Sequence, residues 1–218
     1  MSMSSRNYMF EDRQDAAMKL KEQLPVEQMK REEWHLVAVS SGGLEIINYL
    51  NSRLKLEKDF LFSAGIYAPK NANCELARVS EHEEIVINDK LVEAFEITHD
   101  YIYGEASRKH EEKILSYVYK YRKGKHFEDM QAKTVLLVDE GAESGLKLMG
   151  AIKTVLAMNP KAVYIAVPVL PTDLLDGLEP LADDIFVVSS LEDYVDTSSY
   201  YADFEHVSDE QIENYLGA

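Results

Sequence analysis

The stretch at positions 133–156, KTVLLVDEGAESGLKLMGAIKTVL, indicates both the fold of the chain and the place where a functional site is expected. Its continuous apolar run is typical of a strand that is buried on both faces. The run stops at two adjacent carboxylates, Asp139 and Glu140, and a short loop with two glycines follows. From position 146 onward, apolar residues recur at helical spacing. The stretch therefore predicts a buried strand, a polar loop and a helix.

Strands and helices alternate along the rest of the chain. We predict strands over 36–39, 60–66, 84–87, 135–138, 162–169 and 185–188, with 84–87 at an edge or in a hairpin. We predict helices over 12–24, 44–54, 100–122, 146–158 and 172–181, the last capped by Thr172 or Asp173, and a final helix from a capping box at Ser208 to Leu216. This alternation predicts an α/β protein with a parallel sheet and right-handed crossovers. Ligands of such sheets lie beyond the carboxyl ends of the strands.

The size and composition of the chain are those of a soluble globular protein. Its 218 residues suffice for one sizeable α/β domain or two small ones, and its 46% hydrophobic and 28% charged residues are ordinary. The sequence has no apolar run of the roughly 18 residues that a membrane span needs. The first residues lack the apolar core of a signal peptide, and the single cysteine, Cys74, allows no intrachain disulfide. We therefore expect a cytoplasmic protein without a membrane partner.

The charge of the chain is strongly acidic. It carries 23 basic and 39 acidic side chains, which gives a net charge of −16. Such a surface repels phosphate backbones, so we expect no nucleic-acid partner. A small anionic ligand is still compatible with this charge, because a local group of backbone N–H donors can bind phosphate.

The loop after the predicted strand has the chemistry of a ribose-phosphate site. A helix N-terminus exposes unpaired N–H groups and carries partial positive charge. Gly141 and Gly145 permit tight turns, and Ser144 adds a hydroxyl donor, so the loop could hold a phosphate. Asp139 and Glu140 only accept hydrogen bonds when ionised, which suits vicinal hydroxyls, a metal ion or both. A phosphate beside a diol describes a ribose phosphate.

Other catalytic and binding motifs do not occur. The loop does not match a Walker A motif, and no G-x-G-x-x-G follows a predicted strand. A G-x-S-x-G elbow is also missing from the sequence. The six histidines show no spacing of zinc ligands, so a zinc site is not expected.

These features also have ordinary structural interpretations. The acid pair could be only the polar end of a strand, and Ser40–Gly43 only a strand-to-helix turn. Tyr200, Tyr201 and Phe204 could stack on a base, but core packing or a subunit contact is the favoured interpretation of this aromatic cluster.

The motifs together resemble a known family. The segment VLLVDEGAESGLKL, at 135–148, resembles the ribose-phosphate-binding motif of type I phosphoribosyltransferases: a hydrophobic strand, two acids and a small-residue loop that ends in Thr/Ser-Gly. Four further segments look like successive parts of one bacterial family of predicted phosphoribosyltransferases: FEDRQDAAMKLKEQL (10–24), VAVSSGG (37–43), NCELA (73–77) and YADFEHVSDEQI (201–212). The resemblance implies a Rossmann-like parallel-sheet core with flanking helices and a small hood or flap, in one domain spanning 1–218 with a mobile flap within 67–126.

The resemblance also implies a reaction and a set of site residues. The reaction is transfer of a phosphoribosyl group from phosphoribosyl pyrophosphate to a nucleobase-like acceptor. Mg²⁺ would be brought by the substrate and could be held through the acid pair rather than at a dedicated metal site. The implied catalytic residues are Asp139, Glu140 and Glu143. The implied ribose-phosphate contacts are Asp139, Glu140, Gly141, Ala142, Glu143, Ser144, Gly145 and Lys147, and the implied pyrophosphate loop is Ser40, Ser41, Gly42 and Gly43. Similar enzymes are often dimers, so a homodimer is expected.

The chain departs from the family pattern at positions that would contact phosphate groups. Ser40–Ser41 stand where the related family has Pro-Arg, and Ser63–Ala64 stand where it has Arg-Lys. Lys70 or Arg78 could replace these lost cations. A charge-assisted hydrogen bond contributes about 1.5–3 kcal/mol, so an uncompensated loss would weaken binding by orders of magnitude.

Two further departures lie in the phosphate loop. Related proteins often have Ala at Glu143 and Thr at Lys147. Hypoxanthine-guanine phosphoribosyltransferases resemble the loop with an Asp at the Glu143 position, where it faces the purine, so Glu143 could act as a general acid or base and Lys147 could supply a cation. Both could also be solvated surface residues. The sequence therefore leaves two candidates: an active phosphoribosyltransferase, or a non-catalytic relative that binds a nucleotide, a ribose phosphate or only a protein.

Overall fold

The computed structural model describes residues 8–217, and its main sheet has five parallel strands. The strands lie in the order β2–β1–β6–β7–β8. Their bounds are β1 His35–Ala38, β2 Lys58–Phe60, β6 Thr134–Val138, β7 Ala162–Pro171 and β8 Asp184–Leu191. The chain builds the sheet outward from the β1–β6 pair in both directions, and ligands of open α/β sheets bind where the order reverses in this way. The predicted parallel α/β fold is confirmed.

A second, antiparallel sheet lies beside the first. Its strands are β3 Ser63–Ala68, β4 Asn71–Ser80 and β5 Ile85–Ile87, in that order. The β3–β4 pairing is irregular around Ile66 and Tyr67. The predicted strand over 84–87 lies at the edge of this sheet, as expected.

Helices cover both faces of the main sheet. Their bounds are α1 Arg13–Gln23, α2 Val26–Arg31, α3 Ser41–Asn51, α4 Asp89–Ala94, α5 His99–Lys109, α6 Leu115–Arg122, α7 Leu146–Leu156, α8 Thr172–Leu178 and α9 Asp209–Leu216. A π-helical turn over His110–Ile114 joins α5 to α6. Among the described residues, no helix combines the length and the apolar character that crossing a bilayer requires.

Alternate residues of the central strands face two different cores. Leu36, Ala38 and Val138 pack in one core with α1, α3 and the small sheet. Val37 and Leu137 pack in the other core with α7 and α8. Both sets are fully buried, which explains why these strands read as continuous apolar runs rather than as alternating patterns.

Two local predictions are wrong, and one strand is missing from the predicted set. The apolar run over 60–66 is two strands, because the chain leaves the main sheet after Phe60 and begins to pair with β4 at Ser63. The ten-residue strand β4 is absent from the predicted strands, since its first three residues, Asn71, Ala72 and Asn73, are exposed and show no apolar run. Helix α8 begins after Pro171 and has no side-chain cap, so neither Thr172 nor Asp173 caps it. The capping box at Ser208 is confirmed.

The region within 67–126 forms most of the small sheet and helices α4 to α6. Buried side chains of this region, among them Leu76, Ile102 and Val118, join the core that contains β1 and α3. Its mobility, and the single-domain organisation of the chain, stay predictions.

Candidate functional site

The carboxyl ends of β1 and β6 place two predicted site segments next to each other. Ala38 pairs with Val138, so the residues that follow these two strands are neighbours. The Oγ atom of Ser40 donates a hydrogen bond to Oδ1 of Asp139 at 2.5 Å. The predicted pyrophosphate loop and the predicted acid pair therefore belong to one site.

The segment Ser40–Gly43 is the N-terminus of a helix. Ser40 caps α3, and its Oγ accepts a hydrogen bond from the N–H of Gly43 at 2.9 Å. A Cβ atom at Gly43 would lie 2.4 Å from the carbonyl oxygen of Val138. The second glycine is therefore required for the close approach of α3 to the end of β6, whatever else the segment binds.

The loop between β6 and α7 presents free N–H groups. Gly145 precedes α7 with a φ angle of +73°, in the left-handed region that favours glycine, and no side chain caps this helix. Within residues 8–217, the N–H groups of Glu143, Ser144 and Gly145 have no hydrogen-bond partner. Together with the first turn of α7, they form an uncapped positive helix end of the kind that binds anions.

Asp139 is buried, with 1% of its surface exposed. Besides the hydroxyl of Ser40, its Oδ1 accepts the N–H of Glu140 at 2.9 Å. The Nζ atom of Lys147 lies 3.2 Å from its Oδ2. The buried carboxylate therefore has a cation and two hydrogen-bond donors as partners, which offset the cost of its burial.

Glu140 points to the N-terminal helix. The Nε atom of Arg13 donates a hydrogen bond to its Oε2 at 2.6 Å. Burial raises the pKa of Glu140 above the usual range of a carboxyl group, the Arg13 guanidinium opposes that rise, and the nearby charge of Asp139 adds to it. Arg13 was not identified from the sequence, because nothing in a polar helix marks one arginine as the partner of an acid 127 positions away.

Glu143 and Ser144 are exposed on the loop. The Oε1 atom of Glu143 accepts a hydrogen bond from the N–H of Thr197 at 3.2 Å. Thr197 shares a 2.8 Å hydrogen bond with the hydroxyl of Tyr194. The side chain of Thr197 also packs on Gly141, where a Cβ atom would lie 2.3 Å from its methyl group. The segment around Thr197 thus covers the outer side of the loop.

Two cavities open at the ends of β1 and β6. The first has a volume of about 250 Å³ and is lined by the loop 139–145, with Glu75, Arg78, Lys147, Leu148, Thr197 and Phe204. The second has a volume of about 470 Å³ and is lined by Val39, Ser40, Ser41, Phe60, Phe62, Ser63, Arg78, Tyr117, Lys120, Tyr121, Lys147, His206, Asp209 and Ile212. Arg78 and Lys147 line both cavities, so the two cavities share two cations.

Arg78 lies beside Ser63, one of the positions at which the chain departs from the family pattern. Its Nη1 donates to the hydroxyl of Ser63 at 3.0 Å, and its Nε lies 2.8 Å from Oε1 of Glu75. Lys70 lies in the exposed turn between β3 and β4 and lines neither cavity. Of the three cations that could compensate, Arg78 and Lys147 therefore reach the site.

The acid pair does not suit a directly bound Mg²⁺. Carboxylate oxygens are the right donor type for this ion. However, Asp139 already has Lys147 as a counter-ion, and Glu140 already has Arg13. In the part of the chain that the structure describes, no three His, Cys, Asp or Glu side chains converge as metal ligands.

The aromatic cluster near the C-terminus divides between two roles. Tyr201 is buried and packs on Phe10, and its hydroxyl donates to the carbonyl oxygen of Glu140 at 2.6 Å. Phe204 lines the first cavity. Core packing is therefore the role of Tyr201, while Phe204 borders the site.

No family model matches the chain. Two curated relatives, from two strains of Mycobacterium tuberculosis, carry the name "Putative phosphoribosyl transferase" and are 20% identical to the chain over 208 residues. The alignment covers 95% of this chain and 46% of each relative, so the chain spans about half the length of the curated relatives it matches. These relatives confirm the resemblance to phosphoribosyltransferases that the motifs predict.

Solved structures share the fold. The protein TT1426 from Thermus thermophilus is 27% identical, with a TM-score of 0.75, over 95% of this chain and 97% of that chain. A protein from Neisseria gonorrhoeae, solved with bound ppGpp, is 15% identical, with a TM-score of 0.50, over 99% of this chain and 98% of that chain.

Proposed function

We propose that this relative of the phosphoribosyltransferases binds phosphoribosyl pyrophosphate and transfers its phosphoribosyl group to a nitrogenous acceptor. One observation carries the proposal. The loop before α7, whose N–H groups are free, lines a cavity that shares two cations, Arg78 and Lys147, with a second cavity. A substrate with a phosphate at one end and a diphosphate at the other fits two anion-binding places joined in this way.

The loop is the proposed site of the 5′-phosphate. The N–H groups of Glu143, Ser144 and Gly145 are free to donate, and the Ser144 hydroxyl is exposed beside them. Hydrogen bonds to a charged group contribute about 1.5–3 kcal/mol each, so two or three of them give a phosphate site of useful affinity. The carboxylate of Glu143 is turned toward Thr197, which limits its repulsion of the phosphate.

Asp139 is the proposed contact of the ribose hydroxyls. Lys147 covers its carboxylate, and 30% of the Lys147 side chain is exposed. A bound phosphate would attract the ammonium group and free Asp139 to accept from a hydroxyl. Ala142 stays a predicted contact of the ribose phosphate. The predicted contact of Glu140 is untested, and because its Oε2 already holds Arg13, we propose that Glu140 supports the loop instead.

The second cavity is the proposed place of the diphosphate. Ser40 and Ser41 at the start of α3, together with Arg78 and Lys147, line it. We assign Mg²⁺ to the diphosphate oxygens, as part of the substrate. In the transfer, the bond from C1 to the diphosphate oxygen breaks, pyrophosphate leaves with the electron pair, and the acceptor nitrogen forms the new bond to C1. The acceptor's proton would go to Glu143, which lines the first cavity.

A second candidate is a non-catalytic protein that binds a nucleotide or ribose phosphate. The observation that favours it is the pairing of both acids with cations, Asp139 with Lys147 and Glu140 with Arg13. If these pairs persist in the bound state, the protein can hold a phosphate without stabilising the charge that develops at C1.

Pyrophosphate release distinguishes the two candidates. The protein is incubated with phosphoribosyl pyrophosphate, Mg²⁺ and a panel of purine, pyrimidine and pyridine bases. We expect acceptor-dependent pyrophosphate release that falls at least 100-fold in Asp139→Asn. A protein that binds the substrate but releases no more pyrophosphate than Asp139→Asn with every base would support the non-catalytic candidate. The cytoplasmic location also stays a proposal. So does the homodimer, which sedimentation equilibrium would test.

A further inference from the structure

We infer that Arg13 is a positioning residue of the candidate site, which neutralises Glu140 and fixes it behind the phosphate loop so that the first cavity can accept an anion. The name of the anion, a ribose phosphate, rests on the proposed function. The inference itself rests on the arrangement of charges, which is independent of that function.

The first observation is the balance of charge around the first cavity. Among the residues that the structure describes, the carboxylates of Glu75, Asp139, Glu140 and Glu143 line it, together with two cations. Glu75 is paired with Arg78 and Asp139 with Lys147. Glu140 is paired with Arg13, which does not itself line the cavity. Without that residue, the wall that faces an incoming phosphate would carry a further uncompensated negative charge.

The second observation is how firmly Arg13 is held. Only 8% of its surface is exposed. Its Nη1 donates to the carbonyl oxygen of Glu205 at 2.8 Å and lies 3.4 Å from Oε2 of Glu45. Its guanidinium carbon lies 4.3 Å from the ring centre of Phe204, a residue that lines the cavity. Arg13 thus packs directly behind the cavity wall, with its Nε directed to Glu140.

The third observation is that Glu140 is held at two ends. Its carboxylate accepts from Arg13, and its carbonyl oxygen accepts from the hydroxyl of Tyr201 at 2.6 Å. The carboxylate also fills the space beside Gly42, where a Cβ atom would lie 1.8 Å from Oε2. Fixing residue 140 fixes the start of the loop whose N–H groups form the proposed phosphate site.

The deciding experiment compares Arg13→Gln with the double variant Arg13→Gln/Glu140→Gln. The affinity of each for ribose 5-phosphate is measured by titration calorimetry at pH 8. We expect Arg13→Gln to bind at least tenfold more weakly than the wild type, because a buried carboxylate loses its counter-ion. Adding Glu140→Gln should recover at least fivefold of that loss, since it removes the uncompensated charge. If Glu140 were instead a ribose contact, the second substitution would weaken binding further, and that result would overturn the inference.

The pH profile separates this role from simple structural support. The groups that face Glu140 are Arg13 from α1, Asp139, Lys147 from α7 and Tyr201, with Glu45 of α3 beside Arg13. Burial already raises the pKa of Glu140 and Arg13 opposes that rise, so without Arg13 the pKa should rise further. Arg13→Gln should therefore bind more tightly at pH 6 than at pH 8, relative to the wild type. A loss of affinity that is the same at both pH values would contradict the inference.

The inference can fail separately from the proposed function. If the wild type binds neither ribose 5-phosphate nor phosphoribosyl pyrophosphate, the proposed function fails. The charge coupling is then measured by urea unfolding of the wild type, both single variants and the double variant. Additive effects of the two substitutions would overturn the inference, and recovery of stability in the double variant would support it.

Discussion

At the residue scale, three carboxylate–cation pairs of the described residues surround the first cavity, and one of them, Glu140 with Arg13, joins side chains 127 positions apart. The sequence motif identified Asp139 and Glu140, because a strand that ends in a loop can be recognised from a short stretch of neighbouring residues. It did not identify Arg13, and it left Lys70, Arg78 and Lys147 as equal candidates. Which cation reaches a carboxylate depends on how the β4 strand and α1 pack, and that information is not local.

The pairing of Arg13 with Glu140 predicts a pH-dependent effect on stability. A carboxyl group whose pKa is raised by folding contributes stability at low pH that is lost as the pH rises through its folded pKa. Replacing Arg13 with Met removes the group that opposes this rise. The free energy of unfolding should therefore fall by about 3–5 kcal/mol at pH 8, and by clearly less at pH 5, where Glu140 is more easily protonated.

Urea unfolding of the wild type and Arg13→Met at pH 5 and pH 8 measures this difference. Lys30→Met is the matched control, since Lys30 forms an exposed ion pair with Glu27. The control should change stability by less than about 1 kcal/mol at either pH. Equal destabilisation by Arg13→Met at both pH values would contradict the predicted role of this ion pair.

At the scale of secondary structure, alternating apolar and helical segments predicted the main sheet well. Buried strands such as β6 and β7 appear in the sequence as continuous apolar runs, and each is followed along the chain by a helix, α7 or α8. The sequence does not show where β2 ends and β3 begins, because the residues around this boundary are apolar. Strand β4 is missing from the predicted strands because its first three residues are exposed and form no apolar run. These elements depend on pairing between sheets rather than on local pattern.

The close approach of α3 to the acid pair predicts that Gly42 does not tolerate a side chain. In Gly42→Ala the new methyl group would overlap the carboxylate of Glu140, which is itself held by Arg13. We expect a loss of about 1–3 kcal/mol in the free energy of unfolding. Gly104→Ala, in α5, is the control: its Cβ atom meets nothing within 4 Å, and it should stabilise the protein by up to about 1 kcal/mol. Similar effects of the two substitutions, measured by chemical denaturation, would contradict the geometry.

On the scale of the whole molecule, two segments far apart in sequence, around Phe10–Arg13 and around Tyr201, meet at the candidate site. Phe10 pairs with Tyr201 in an isolated bridge, and the N–H of Ala202 donates to the carbonyl oxygen of Phe10 at 2.9 Å. Arg13 and Tyr201 then both contact Glu140. The resemblance at 10–24 and 201–212 was noted from the sequence, but its reason is visible only in the fold. Both segments contact Glu140 of the acid pair.

The net charge of −16 makes anion binding the most demanding requirement of the proposed function. The central claim is therefore tested by calorimetric titration of the protein with phosphoribosyl pyrophosphate and Mg²⁺, with ribose 5-phosphate and pyrophosphate titrated separately. We predict micromolar binding of phosphoribosyl pyrophosphate, about −8 kcal/mol, that weakens at least tenfold in Lys147→Met and is unchanged in Lys153→Met, whose lysine pairs with Glu84 outside the site. Failure of the wild type to bind any of the three ligands would contradict the claim.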